Sequence, residues 1–374
     1  MPIQKTAVAA MFTTLAAAAL QLAPPPETAH AQAQAPPGIV LARVATPTRV
    51  AARDGVAVWG AYDKARDAIV LMRRSTIGVI APVGVPLIPA IAASNEIPGR
   101  PASVATFEVT LGHDSGHRLT AVYRRCAGPA DSSCSLALAT IATGVERRVA
   151  NTEGALRGAI SGPWVAFVTS GSGADRLYLR HVGRDPRALA PPKLGADREA
   201  ARIDPKGSQP DPSSVRISSV DVRGRDVAYV VNYRLRSPEI AYSELWLNRG
   251  PGRNRKVAYV GTGGASSGFR ELLQPRLYAD SVVSYMQGRD QTNAVFRYSL
   301  SGRVLGSGSI GIKRLGIQPE ITGGQWDRGR FWYSANPYQG NGCGDFEQLP
   351  FDATCPVLDS GPVALARSKP RVRR

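Results

Sequence analysis

The amino-acid sequence predicts an all-β protein, a six-bladed β-propeller whose last blade is completed by an N-terminal strand. Three observations support this prediction. Similar β-hairpins recur along the chain at a mean spacing of about 55 residues, within the range of a four-stranded propeller blade. Each of two cysteine pairs flanks the bend of one such hairpin. The last repeat lacks a fourth strand, whereas one unused strand precedes the first repeat.

The N-terminus has the pattern of a secretory signal peptide. Lys5 is followed by an uncharged, mostly apolar run over residues 7–23, and two A-x-A patterns then end at Ala31 and Ala35. These features match the charged, apolar and cleavage regions of signal peptides. An uncleaved anchor is the competing interpretation, but the run is short for a membrane span and prolines follow it at once. We predict a signal peptide over residues 1–31, a linker over 32–37, and a secreted or envelope-associated mature protein.

A second uncharged segment, Ser75–Asn95, is also long enough to cross a bilayer. Pro82, Pro86 and Pro89 would break a helix there, because proline removes a backbone donor and clashes with the preceding turn. The valines and isoleucines around these prolines are typical of a buried edge strand and its connector. We therefore predict no transmembrane anchor once the signal peptide is removed.

The repeated unit consists of two short apolar strands joined by a polar turn. Residues 162–183, GPWVAFVTSGSGADRLYLRHVG, show it clearly. Apolar segments before and after each hairpin supply an innermost and an outermost strand, which gives four strands per blade. The hairpins are anchored, at the first strand of each, on Val56, Leu119, Val165, Val227, Val282 and Phe331.

The two ends of the repeat region predict how the ring closes. The sixth hairpin ends with PVALARSK, residues 362–369, which we assign to its third strand. The strand GIVLARV, residues 38–44, has no place in the first repeat and is predicted to complete the sixth blade. The propeller is thus predicted over residues 38–369, with a basic tail over 370–374. A pair of β-sandwich domains is the alternative, since these also consist of short alternating strands.

Four cysteines fit an exported protein. Cys126 and Cys134 flank one turn-rich loop, and Cys343 and Cys355 flank another. Oxidising compartments favour disulfides, and of the three possible pairings we predict the two local ones. Zinc binding is the alternative, but neither spacing is typical of a zinc site and no histidine lies near the second pair.

The segment 162–183 resembles the repeats of TolB-type, WD40-like β-propellers, with a glycine, an apolar strand, a polar turn and an L-Y-L strand. The resemblance covers most of residues 38–369 at the level of pattern. The Ser-Pro-Asp-Gly turn of such repeats is replaced here by RDG, SGP, RGRD and DRGR. The resemblance implies a binding platform whose ligand sits at the central channel, and the altered turn argues against transferring TolB-specific partners.

Two glycine-rich motifs lack the context that their chemistry needs. GASSG, residues 264–268, matches a nucleophile elbow centred on Ser266, but no histidine follows His181 to complete a triad. GSGSIG, residues 306–311, is not followed by a helical pattern and does not match a dinucleotide-binding unit. We predict no catalytic residue and no cofactor.

LGHDSGHRL, residues 111–119, is the most interesting polar cluster. His113, Asp114 and His117 could offer imidazole and carboxylate ligands to a metal ion if the turn folds back. The same residues also suit a solvated hairpin bend, in which aspartate and glycine shape the turn. Because no further ligand is identifiable, the three residues make only a weak metal-site prediction.

The chain is strongly basic, with a formal net charge of +17. Such a surface attracts wall polymers, acidic polysaccharides, lipid headgroups or nucleic acid. The alternative is compositional, with arginine as the default surface residue and no specific partner. No nucleic-acid-binding motif is present, and export argues against DNA or RNA as the ligand.

These observations predict a secreted, monomeric, non-catalytic propeller that binds an unknown protein, a peptide or an anionic envelope glycan through one face. A second hypothesis is an exported glycan hydrolase or lyase, because a propeller can bring paired carboxylates together across its blades. A third is a passive wall-associated structural protein. An acidic pair near the axis would favour the enzyme, whereas a broad cationic face without such a pair would favour the other two.

Overall fold

Six antiparallel sheets form blades around a central channel in the structure, which is a computed structural model. All regular elements in the described ranges are β-strands, and these ranges contain no helix that could span a membrane. The fold is a six-bladed β-propeller, which confirms the predicted fold class. The structure describes residues 39–91, 104–127, 134–170, 175–182, 187–189, 216–234, 241–251, 253–261, 270–288, 293–310, 320–336 and 355–367.

The first strand of the chain, β1 (Ile39–Val44), belongs to the last blade. Blades 1 to 3 then follow in chain order, each from its innermost to its outermost strand. Blade 1 contains β2 (Ala51–Arg53), β3 (Val56–Asp63), β4 (Ala68–Arg74) and β5 (Ile80–Pro82), with β6 (Ile88–Pro89) also paired with β4; blade 2 contains β7 (Val109–His113), β8 (Leu119–Cys126), β9 (Cys134–Thr140) and β10 (Glu146–Arg148); blade 3 contains β11 (Ala155–Ser161), β12 (Trp164–Thr169), β13 (Arg176–His181) and β14 (Arg187–Leu189).

Blades 4 to 6 continue the same order. The six predicted hairpin anchors all fall in the second strand of their blade, so each predicted hairpin is the middle pair of strands. Blade 4 contains β15 (Arg216–Arg223), β16 (Asp226–Arg234), β17 (Ala241–Asn248) and β18 (Asn254–Gly261); blade 5 contains β19 (Arg270–Leu277), β20 (Ser281–Gly288), β21 (Ala294–Ser299) and β22 (Val304–Ser309); blade 6 contains β23 (Glu320–Asp327), β24 (Arg330–Asn336) and β25 (Cys355–Pro362).

The N-terminal strand closes the ring as predicted. Strand β1 runs antiparallel to β25, with Val44 opposite Cys355 and Ile39 opposite Asp359. This ladder gives blade 6 its fourth strand and covers an edge of β25 that would otherwise expose unpaired backbone groups. Residues 1–38, which include the predicted signal peptide, lie outside the described residues, so export stays a prediction.

The predicted end of the sixth blade is wrong in one respect. Residues 362–369 were assigned to its third strand, but β25 ends at Pro362. A short final strand, β26 (Ala366–Arg367), instead pairs with β22 at the outer edge of blade 5. Glycines on β22 permit this approach, since a Cβ at Gly306 would lie 2.8 Å from the carbonyl oxygen of Ala366.

Hydrophobic clusters join the blades. The described residues contain six large clusters, and each lies between one pair of neighbouring blades. Val227, Tyr229 and Val231 pack against blade 3, while Ala228 and Val230 pack against blade 5. Because side chains alternate across a strand, a strand that is buried on both faces must be apolar at every position. This explains the continuous apolar runs of the repeated hairpins.

The uncharged segment Ser75–Asn95 is only partly as expected. Strands β5 and β6 lie within it and pair with β4 at the edge of blade 1, which confirms the predicted edge strand. The prediction of burial is wrong for several of its apolar residues, since Ile77 and Val79 are 85% and 56% exposed. Residues 92–95 lie outside the described residues.

The disulfide between Cys126 and Cys134 is present, with a Cα–Cα distance of 3.8 Å. The two residues are directly opposite each other at the paired ends of β8 and β9. The bridge therefore closes the bend between the second and third strands of blade 2, as predicted. Cys355 is also disulfide-bonded, whereas Cys343, its predicted partner, lies outside the described residues.

Replacing Cys126 and Cys134 together by alanine is expected to lower the free energy of unfolding by about 2–3 kcal/mol, because the unfolded chain loses a short covalent loop. Urea denaturation of the two proteins under non-reducing conditions measures the difference.

Mass mapping of non-reduced peptides should link Cys126 to Cys134 and Cys343 to Cys355. A crossed linkage, or an unchanged urea midpoint, would contradict this assignment.

Candidate functional site

The first strand of each blade lines the central channel, and these strands contact one another in the cyclic order β2, β7, β11, β15, β19 and β23. In blades 3 to 6 this strand shifts register against its neighbour near the same point, as in β11 between Ala155 and Arg157. Such bulges redirect side chains and are common beside functional sites.

A pocket lies in the channel at the level of these bulges. We call the face of the propeller at which the first strands begin the pocket face. The opposite face, where each first strand turns into the second, is the turn face. All six blades contribute to the wall of this channel pocket, through Arg49, Glu108, Val109, Thr110, Val122, Tyr123, Arg124, Arg157, Gly158, Ser219, Val220, Gln274, Pro275 and Gln325.

A carboxylate between two guanidinium groups is the main charged feature of the channel pocket. Arg157 donates to Glu108 through Nε and Nη2, at 2.9 and 3.2 Å. Arg49 is the second guanidinium group beside this carboxylate, and its Nη2 lies 3.4 Å from Oε1 of Glu108. Arg124 adds a third cation to the wall. The four charged wall residues therefore leave an excess of two positive charges.

Arg49 spans the channel. Its Nη1 donates to the carbonyl oxygen of Ser218 at 2.7 Å, and Ser218 belongs to blade 4, opposite blade 1 in the ring. Gly323 leaves room for this path, because a Cβ at that position would lie 2.6 Å from Cγ of Arg49. The pocket therefore requires glycine at position 323, where a side chain would displace Arg49.

Gln274 brings a buried amide to the pocket wall. The residue is 9% exposed, and its Oε1 has no hydrogen-bond partner within the described ranges. Its backbone φ of 41° lies in the left-handed region, which costs energy for a residue other than glycine. Its backbone N–H donates to Oγ of Ser219 at 3.1 Å, which holds this conformation. The side-chain amide can turn over, so it can present either an acceptor or a donor to a ligand.

A second layer of charges closes the channel toward the turn face. Asp221 accepts the backbone N–H of Leu277 at 2.7 Å, and Asp327 accepts that of Gly55 at the same distance. Arg276 donates to the carbonyl oxygen of Ala52 at 3.1 Å and lies 3.8 Å from Asp327. Each of these contacts joins two different blades, so the layer stabilises the ring.

Arg53 belongs to the same charged layer and donates to the carbonyl oxygen of Leu111 at 3.3 Å. Burial, together with the positive charge of Arg276, lowers the pKa of Arg53. Asp221 and Asp327 lie in blades 4 and 6, with Arg276 of blade 5 between them in the ring order. The charges of both carboxylates act on Arg53 and oppose the fall in its pKa.

The three residues of the weak metal-site prediction have other contacts. Nε2 of His113 lies 2.9 Å from Asp54, and burial and the charge of Arg53 lower the pKa of His113. His117 is exposed at the turn that follows β7. Within the described parts of the chain, no group of three or more histidine, cysteine and acidic side chains is arranged to hold a metal ion.

Asp114 shapes the hairpin bend. It is 3% exposed and accepts hydrogen bonds from the backbone N–H groups of Gly116 and Arg118, at 2.8 and 3.0 Å, and from Nε of Arg118 at 2.9 Å. Burial alone would raise the pKa of Asp114, but these hydrogen bonds outweigh it and hold the pKa below its ordinary value. The side chain therefore stabilises the turn in its ionised form.

Asp114→Asn is expected to lower the free energy of unfolding by about 1–3 kcal/mol at pH 7, because a buried, charge-assisted hydrogen-bond network is lost. The folded-state pKa is depressed, so this stabilisation is present above the unfolded-state pKa near 3.8 and is lost as the pH falls through the folded-state value. Urea denaturation at pH 7 and pH 3 should show the difference shrinking at low pH. Asp226→Asn, in an exposed pair with Arg249, is the control and should cost under about 1 kcal/mol.

The pocket residues are not among the site residues predicted from the sequence, although the sequence carries a signal for them. Arg157, Ser219, Gln274 and Gly323 each lie eight residues before the hairpin anchor of their own blade. Equal spacing places them at equivalent positions on four first strands. Alignment of the repeats on their anchors therefore would have identified a ring of four positions, but not the contacts between them.

No family model and no curated protein matches this chain. Among solved structures, it is similar to AofleA from Arthrobotrys oligospora, at 12% identity and a TM-score of 0.44 over 81% of each chain. It is similar to the β-propeller domain of the Trilobed protease from Pyrococcus furiosus, at 7% identity and a TM-score of 0.39 over 78% of this chain and 79% of that one. A GH43 endo-arabinanase from Bacillus licheniformis has 9% identity and a TM-score of 0.33, over 69% of this chain and 93% of that one.

Proposed function

We propose that this protein is an exported binding propeller that holds a carboxylate group of an envelope glycan or an acidic peptide in the channel pocket. The observation that carries the proposal is the charge of the pocket wall, where Arg49, Arg124 and Arg157 face a single acidic residue, Glu108. Guanidinium groups bind carboxylates through paired, charge-assisted hydrogen bonds. A partly enclosed, low-dielectric site strengthens such bonds relative to bulk water.

The remaining wall residues suit the same ligand class. The buried amide of Gln274 offers a donor or an acceptor to a hydroxyl or carboxyl group, and a ligand would supply the partner that its Oε1 lacks. In this proposal only one acidic group at the end of a larger ligand contacts the pocket wall, and the rest of the ligand stays outside the channel.

The charged layer supports a binding role over a hydrolytic one. Asp221 and Asp327 accept backbone amides of neighbouring blades, so their task in the described structure is to hold the ring together. Export, and with it a ligand in the cell envelope, rests on the predicted signal peptide over residues 1–31.

Arg124→Gln is expected to weaken the binding of an acidic oligosaccharide at least about tenfold, because one charge-assisted contact is lost. Glu108→Gln is expected to maintain or strengthen binding, because it removes the one negative charge of the wall. Isothermal titration with oligogalacturonate, its neutral methyl ester and a glutamate-rich peptide measures both effects and separates a glycan from a peptide ligand.

Arg303→Gln is the matched control, since Arg303 is an exposed arginine at an outer turn of blade 5. It should leave the affinity unchanged. Tighter binding after Arg124→Gln and weaker binding after Glu108→Gln would show that the pocket prefers cations. That result, or the absence of binding to every acidic probe by folded protein, would overturn the proposal.

A further inference from the structure

One edge of the turn face carries exposed apolar side chains that the channel pocket does not use. Ile77 and Val79 lie in the turn between β4 and β5 in blade 1, Ile80 is the first residue of β5, and Val145 lies in the corresponding turn of blade 2. We call these four residues the apolar rim patch. Ile77 and Val145 are 85% and 64% exposed. Large exposed apolar groups that cluster, unlike scattered ones, mark interaction sites.

The two turns of the apolar rim patch are held next to each other. Nη1 of Arg73 donates to the carbonyl oxygen of Ile141, at the base of the blade 2 turn, at 2.8 Å. Gly144 approaches the neighbouring blade so closely that a Cβ there would lie 2.7 Å from the carbonyl oxygen of Val83. The blade 2 turn that carries Val145 is therefore held against blade 1 at the seam between the two blades.

The turn that carries Ile77 is internally braced. The backbone N–H of Ser75 donates to the carbonyl oxygen of Val79 at 2.8 Å, and that of Gly78 donates to the carbonyl oxygen of Ser75 at 3.0 Å. The N–H of Val79 also donates to Oγ of Ser75 at 3.1 Å. Because these bonds already fix the backbone, the apolar tip can be presented to a partner without a large ordering cost.

Arginines flank the two turns that carry these apolar residues. Arg147 and Arg148 are exposed on β10, next to Val145. Arg74 directly precedes the Ile77 turn and donates to the carbonyl oxygen of Ser75 at 3.4 Å. Arg328 reaches the same region from blade 6, where its side chain is 63% exposed and pairs with Asp54. The segment from Ser75 to Asn95 itself carries no charge.

We propose that the apolar rim patch inserts into the headgroup region of an anionic lipid bilayer, so that the propeller docks peripherally by one edge of its turn face. Shallow insertion of apolar side chains together with basic residues over anionic headgroups is the physical basis of interfacial binding. Both contributions are present here. The isoleucines and valines of the patch supply the apolar insertion, and the flanking arginines supply the attraction to anionic headgroups.

The structure argues against two other occupants. A stable dimer needs roughly 20–30 residues on each side, and the patch supplies four large apolar ones. Addition of a foreign strand to the edge of blade 1 is limited because Pro82 and Pro89 remove donors from the edge strands β5 and β6. A bilayer needs neither a large complementary area nor a free strand edge.

Co-sedimentation with phosphatidylcholine vesicles, with and without phosphatidylglycerol, tests the proposal on the full mature chain. We expect binding to the anionic vesicles and an at least about tenfold loss of partitioning in the double variant Ile77→Ser, Val79→Ser. Arg147→Gln with Arg148→Gln should reduce binding at low salt, and this effect should fade at high salt as the charges are screened. Tyr259→Ser, which removes an exposed aromatic ring from β18 in blade 4, is the control and should bind as the unaltered protein does.

Equal binding by the Ile77→Ser, Val79→Ser variant would show simple charge adsorption and would overturn the proposal. Failure of the folded, unaltered protein to bind anionic vesicles would also overturn it. Light scattering measures the oligomeric state in the same experiment. A dimer that the Ile77→Ser, Val79→Ser substitutions dissociate would show that the patch binds a second copy of the chain, and this would also overturn the proposal. Circular dichroism verifies that the variants keep their fold, and the oligosaccharide titration tests their channel pocket. Loss of vesicle binding can therefore be distinguished from loss of ligand binding in the channel.

Discussion

Pairing between the two ends of the propeller is the interaction on which the rest of the structure depends. Strand β1 completes blade 6 through a ladder between residues 39–44 and 355–359. The entropy cost of closing so long a loop grows only logarithmically with its length, so a short ladder backed by apolar packing can offset it. Trp59 and Trp332 lie in the cluster that supplies this packing between blades 6 and 1. The channel pocket needs the closed ring, because Arg49 enters it from blade 1 and Gln325 from blade 6.

The ring also explains why polar chemistry concentrates at its centre. The blade interfaces are apolar, so each strand in the middle of a blade has both faces committed to packing. The first strands supply most of the residues that line the channel pocket, and their bulges let polar residues interrupt the apolar pattern. The same side chains then hold neighbouring blades together, as Ser219 does for Gln274 and Asp327 does for Gly55. A binding site and a structural joint are therefore built from one set of residues.

The fold could be predicted from the sequence because its main determinants repeat. Strand alternation, turn residues and spacing predicted six hairpins, the closing strand and the disulfide between Cys126 and Cys134. The pocket could not be predicted in the same way, since its contacts join residues that are distant in sequence and occur once. Arg49 and Ser218 are 169 residues apart, and no periodic pattern connects them. The final strand β26 was misplaced for a similar reason, since its partner lies in blade 5 and its apolar pattern suits either blade.

The basic composition of the chain has two distinct physical meanings in this structure. Arg157 and Arg276 are enclosed, and their guanidinium groups bridge blades through carboxylates and backbone carbonyl groups. Arg147 and Arg148 are exposed on an outer strand beside apolar side chains. Salt screens the second kind of charge far more than the first, because field lines between buried groups do not pass through the solvent. The described arginines thus include an internal set that builds the channel and an external set exposed on an outer strand.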